Sequence, residues 1–148
     1  IDMDIYGDSA WTSLPTTWDS AIAQYTEDTL MAYGIVPWHL ANMQKQLTWA
    51  FRNRDTKRIL RLSAEIGHYI GDANVPLHTT ENYNGQLTNQ HGIHGLWESR
   101  VPELFASQYD FIFDEKATYE RHPQQRAWDA VVQAHLALDS VLAFEKLA

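Results

Sequence analysis

His68 precedes Asp72 by four residues, and His94 precedes Glu98 by the same spacing. On a helix, side chains four apart are neighbours with Cβ atoms about 5–6 Å apart, so each pair can converge on one ion. Neutral imidazole plus carboxylate is a ligand set of zinc hydrolases, which hold the metal with three protein ligands and keep a water in the fourth position. His78 stands between the two pairs and can supply a third ligand to either. With no cysteine in the chain, thiolate ligands, disulfides and a cysteine nucleophile are all excluded.

Each pair has a plainer reading beside the metal one. His68 and Asp72 fall on the helix side opposite Ile59, Ile66 and Ile70, together with Arg61 and Glu65, which also describes a solvated polar face. His94 and Glu98 share their face with Trp97, Val101 and Phe105. A carboxylate buried there costs several kcal/mol unless compensated, by a salt bridge to Arg100 or by a metal. The spacing of His135, seven after Trp128 on an apolar stripe, fits a hydrogen-bonded core histidine. His122 precedes Pro123 at a helix start and reads as solvated. His39 is in the first turn of its helix, where extra positive charge is disfavoured. His91 either lines the site or is a loop residue beside Gly92. Asp2, Asp4 and Asp8 with Gly7 suggest a calcium loop, but no glutamate closes it at the required place, so they read as an acidic segment.

The elements that must position these groups are helical. Thr16 or Thr17 caps a helix carrying Ile22, Tyr25, Thr29 or Leu30, and Tyr33, stopped by Gly34. Pro37 opens a second helix with Leu40, Met43, Leu47 and Phe51 at three- and four-residue steps. The third starts at Asp55, buries Ile59, Leu62, Ile66 and Ile70, and ends at Asn74 and Pro76. From Val75 to Gly92 the chain is polar and turn-rich, with Asn84-Gly85 the clearest turn. A connector of this length inside a domain suggests function. Ile93 to Phe105 predicts a short helix bent by Pro102. Pro123 opens a long helix with Trp128, Val131, Val132, His135, Leu138 and Leu142 inward. Gln108–Phe113 is the one stretch with any strand character. The expectation is a single all-α domain over 1–148, with about five main helices and one long loop.

Composition supports a globular domain: 148 residues, 45% hydrophobic and 20% charged, can bury a core without staples. No apolar run reaches the roughly 18 residues of a membrane-spanning helix. A net charge of −8 argues against a broad phosphate-binding face.

Taken together, Gly67-His68-Tyr69-Ile70-Gly71-Asp72, Pro76-Leu77-His78 and His94-Gly95-Leu96-Trp97-Glu98 resemble the zinc-dependent phospholipase C family, from about Leu47 to Phe105. The single-strand-specific zinc nucleases share that family's fold. The resemblance implies a mostly helical domain with up to three zinc ions that hydrolyses phosphodiesters. It assigns His68 and Asp72 to a two-metal pair, with Asp72 as bridge, and His78, His94 and Glu98 to the remaining zinc. Glu98 leans to the phospholipase branch, while Trp97 leans to the nuclease branch. The family also uses an N-terminal tryptophan, a nearby histidine, and an upstream aspartate and histidine. Here Ile1 opens the chain, Trp11 is the nearest tryptophan and His39 the only upstream histidine, so a fragment lacking the N-terminal ligands is expected. The resemblance also implies a secreted or periplasmic setting.

Three functions compete on these residues. The first is a zinc-dependent phosphodiesterase, acting through Asp72 and Glu98 on a small phosphodiester, a phospholipid headgroup or a nucleic acid. Tyr83, His91 and Trp97 would line its site, and Asp2 or Glu81 would serve as base. The second is a non-catalytic helical domain whose structural zinc takes His91 as fourth ligand. The third is a helical domain without metal, against which a buried Glu98 argues.

Overall fold

A computed structural model describes residues 1–7, 9–110, 112, 116 and 118–147. The chain is a single all-α domain, with no strand among the described residues. Among the described residues, no helix is long and apolar enough to cross a membrane.

The chain begins with a short strap, Ile1–Tyr6, whose last four residues form a 3-10 turn. Ile1 and Met3 are buried, and the Asp2 N–H donates to the Tyr33 carbonyl (2.8 Å), so the strap lies on the domain core. Helices α1 (Ala10–Ser13), α2 (Trp18–Tyr25) and α3 (Glu27–Tyr33) follow. The sequence predicts one helix where α2 and α3 stand. The break is at Thr26, which takes φ +68° and caps α3 by accepting from the Thr29 N–H (3.4 Å). A non-glycine residue rarely adopts that angle, so periodicity runs straight through the break. Gly34, at φ +99°, ends α3 as expected.

Helices α4 (Val36–Arg52) and α5 (Thr56–Ala73) are joined by three residues and pack along their length. Pro37 sits in the first turn of α4, and the Asp55 side chain caps α5 by accepting from the Arg58 N–H (3.0 Å). Met43, Ala50 and Leu62 are buried between the two helices. Phe51 and Ile70, predicted inward, are 58% and 50% exposed, because Ala50 and Ala73 occupy the interior at those levels. Trp38 on α4 meets Trp18 at 5.6 Å and Trp128 at 4.9 Å, both edge to face.

Helix α8 (Pro123–Glu145) closes the domain, with Ala127, Trp128, Val131, Ala134, Leu138 and Val141 buried. His135 is hydrogen-bonded as its spacing predicts, with its Nδ1 3.1 Å from the Thr79 hydroxyl, but it is half-buried rather than in the core. Between α5 and α8 run a 3-10 turn (Pro76–Thr79), a hydrogen-bonded loop, α6 (Ile93–Gly95), a π-helical turn (Leu96–Arg100) and α7 (Val101–Phe105). Pro102 has no N–H to return to the Glu98 carbonyl and its ring crowds that carbonyl, which accounts for the widened turn just before it. Ala106–Gln108 is a 3-10 turn rather than the start of a strand. Tyr109, Asp110 and Ile112 take no regular structure, while Phe111 and Phe113 of that stretch, like Asp8 of the acidic segment, lie outside the described residues.

The turn predicted at Asn84-Gly85 is present and tightly specified. Gly85 has φ +72°, and a Cβ there would run into the backbone carbonyl of Gln90. Strain of that kind costs about 1–3 kcal/mol. Gly85→Ala is therefore expected to lower the melting temperature by roughly 2–12 °C at the 2–4 °C per kcal/mol typical of this chain length. A thermal melt reads it directly, and an unchanged midpoint would mean the turn does not hold the loop.

Candidate metal centre

Helix α5 delivers His68 and Asp72 on one face near its C-terminus. Their side chains meet at 3.2 Å, His68 Nε2 to Asp72 Oδ2, with His68 mostly exposed and Asp72 half-buried. The backbone then carries the chain directly to His78. Val75 N donates to the Asp72 carbonyl (3.1 Å), and His78 N donates to the Val75 carbonyl (3.1 Å). Two short steps thus fold the His78 ring back toward Asp72.

The second pair arrives across the loop. Leu77, next to His78, and Ile93, next to His94, are both buried in one apolar cluster with Leu138 and Val141 of α8. Burying those two neighbours brings the two imidazoles to a centroid distance of 5.2 Å. His94 Nε2 lies 3.2 Å from Glu98 Oε2, and His78 Nε2 lies 2.9 Å from Glu98 Oε1. His78, His94 and Glu98 each present a ligand atom within 4.8 Å of the others. The Tyr83 ring stands edge-on to His94 at 5.8 Å. A cavity of about 290 Å³, lined by Ile1, Val36, Asp72 and His78 among others, adjoins the centre.

His78 joins the two predicted pairs into one array. Its Nε2 faces Glu98, and its Nδ1 lies 3.6 Å from Asp72 Oδ1, too long for a hydrogen bond. His94 Nδ1 is buried without a hydrogen-bond partner. Two imidazoles and a carboxylate turned toward one another have the donor chemistry of a zinc site. The residues present therefore fit the metal.

Other expectations land differently. Glu98 is not sealed in an apolar face: Trp97 and Phe105 are 41% and 44% exposed, and Arg100 pairs with Glu103 (3.7 Å) instead. Glu98 is itself exposed, so burial cost does not explain its position. His91 is exposed and takes no part in the triad. Trp97 lies on the same turn as Glu98, outside the triad. His39 stacks edge-on against Tyr69 at 5.3 Å, outside the triad, and His122 is exposed at the start of α8.

Of the N-terminal strap, the sequence offered Asp2 as a base but did not place Ile1 and Asp4 beside His78 and Thr80. The Ile1 nitrogen donates to the His78 carbonyl (3.0 Å), and the Asp4 carboxylate receives the Thr80 hydroxyl (2.6 Å). The only hint was the alternation of apolar Ile1 and Met3 with acidic Asp2 and Asp4. Asp2 is half-buried, and burial pushes its carboxyl above the ordinary range; the charges of Asp4 and Glu81 push the same way, against the Ile1 amino group.

The centre is therefore defined by geometry and donor chemistry alone, since no family model, curated protein or solved structure matches the chain.

Proposed function

We propose that the chain is a zinc-dependent phosphodiester hydrolase resembling the zinc-dependent phospholipases C. The observation that carries the reading is His78, held between Asp72 and Glu98 with His94 beside it. His78, His94 and Glu98 would hold the most secure ion, and His68 with Asp72 would serve additional ions. When bound, zinc lowers the pKa of water toward about 7 and polarises a phosphoryl oxygen.

The protein's own groups would complete the chemistry. Asp72, 3.2 Å from His68, would hold the additional ions beside the triad. Asp2, made more basic by burial, or Glu81 would accept a proton from the attacking water. Tyr83 offers an exposed ring beside His94 for a headgroup or a base. The net charge of −8 makes a small phosphodiester or phospholipid headgroup the favoured substrate, with single-stranded nucleic acid as the alternative.

A second reading, a structural zinc that ties the loop down, needs a fourth protein ligand. His91, its candidate, is exposed and outside the triad, and three ligands leave a position open for catalysis.

Metal analysis of the purified protein tests the proposal. At least one zinc per chain is expected, and Glu98→Gln, which keeps the shape but removes the anionic ligand, should lower occupancy sharply. Unchanged stoichiometry in that variant would sink the assignment.

A further inference from the structure

The turn that carries His78 is held from a place far away in sequence. The Asp4 carboxylate accepts from the Thr80 hydroxyl at 2.6 Å and from the Glu81 N–H at 3.1 Å to each oxygen. The Thr80 hydroxyl is buried and in turn accepts from the Asn82 N–H at 2.9 Å. Asn82, also buried, accepts from the Leu87 N–H at 2.7 Å and donates to the Thr88 hydroxyl at 3.0 Å. One carboxylate thus anchors a hydrogen-bond chain that runs from just after His78 into the far half of the loop leading to His94.

The anchor itself is fixed. Met3, beside Asp4, is fully buried, and Ile1 N holds the His78 carbonyl at 3.0 Å. Asp4 is outside the His78/His94/Glu98 triad. Charge-assisted hydrogen bonds from a carboxylate to an N–H and a hydroxyl are about twice as strong as neutral ones, so this contact can set the loop's geometry.

We propose that Asp4 is a positioning residue for the metal centre, holding the Thr80–Glu81 turn so that His78 meets Glu98 and His94. The inference rests on the zinc reading for its principal readout, and a second readout stands without it.

The principal readout is zinc affinity, measured by chelator competition. Asp4→Ala should weaken binding about 10- to 100-fold, the range seen when an outer partner of a ligand is lost. Asp4→Asn, which keeps one oxygen to accept from the turn, should recover most of the affinity. Asp55→Ala serves as control, because it removes a similar carboxylate-to-backbone bond at the opposite end of α5. It should lower the melting temperature while leaving zinc affinity unchanged. Unchanged affinity in Asp4→Ala overturns the proposal. So does an Asp4→Asn loss as large as that of alanine, because the amide oxygen can still accept from the turn.

The second readout uses zinc-free protein and the ring nitrogen signals of its histidines in NMR spectra. Asp4→Ala should move the His78 ring signals and leave those of His122 in place. If the parent binds no zinc, the hydrolase reading fails and the His78 signals alone decide the Asp4 role; static signals then overturn it.

Discussion

Stripping zinc from the protein is expected to lower its melting temperature by about 8–16 °C, and His94→Ala should reproduce most of that loss. A ligand present at 1,000 times its Kd, binding only the folded state, adds about 4.1 kcal/mol. At 2–4 °C per kcal/mol for a chain of this length, the shift follows. His94 carries the larger share because its zinc would tie the loop after Thr79 to the turn bearing Glu98, through His78. Metal bound only in the folded state is folding free energy. Asp72→Asn should cost clearly less, since Asp72 meets His78 only from the Nδ1 side and its loss leaves the triad whole. Melting curves with saturating zinc and with chelator decide the matter. Equal losses in the two variants, or a parent indifferent to chelator, would refute this division of labour.

Hydrolysis should divide the same two residues differently. On an activated phosphodiester reporter, the zinc-loaded chain is expected to turn over weakly, at a rate that rises toward a plateau near pH 7, as ionisation of water at the metal dictates. Chelator should remove the activity, and Asp72→Asn should lower it at least 100-fold while the triad keeps its zinc. The large kinetic and small thermal effect of Asp72, set against the large thermal effect of His94, distinguishes a bridging carboxylate from a loop-holding ligand. Turnover that persists in chelator would exclude the zinc mechanism. A zinc-saturated parent without turnover would leave the centre as a clasp for the loop.

Much of this architecture was readable from local signals. Pro37 and Asp55 mark helix starts by chemistry that acts within one turn, and α4, α5 and α8 lie where the three- and four-residue apolar steps put them. The break at Thr26 was not readable, because a threonine at φ +68° answers to packing rather than to its own preference. Phe51 and Ile70 were misplaced for a related reason: periodicity says which face an apolar residue shares, and the neighbouring helix decides how far along that face the burial extends.

The site divides along the same line. The two pairs, His68 with Asp72 and His94 with Glu98, follow from spacing, because four residues on a helix bring side chains together whatever surrounds them. Long-range packing is what puts His78 between Asp72 and Glu98, keeps His91 out, and brings Asp4 to Thr80 across 76 positions of chain. Those approaches depend on where Leu77 and Ile93 are buried against Leu138 and Val141, and on Met3 seated in the core. Hydrophobic burial is non-directional, so no spacing in the chain announces which distant residues it will bring into contact.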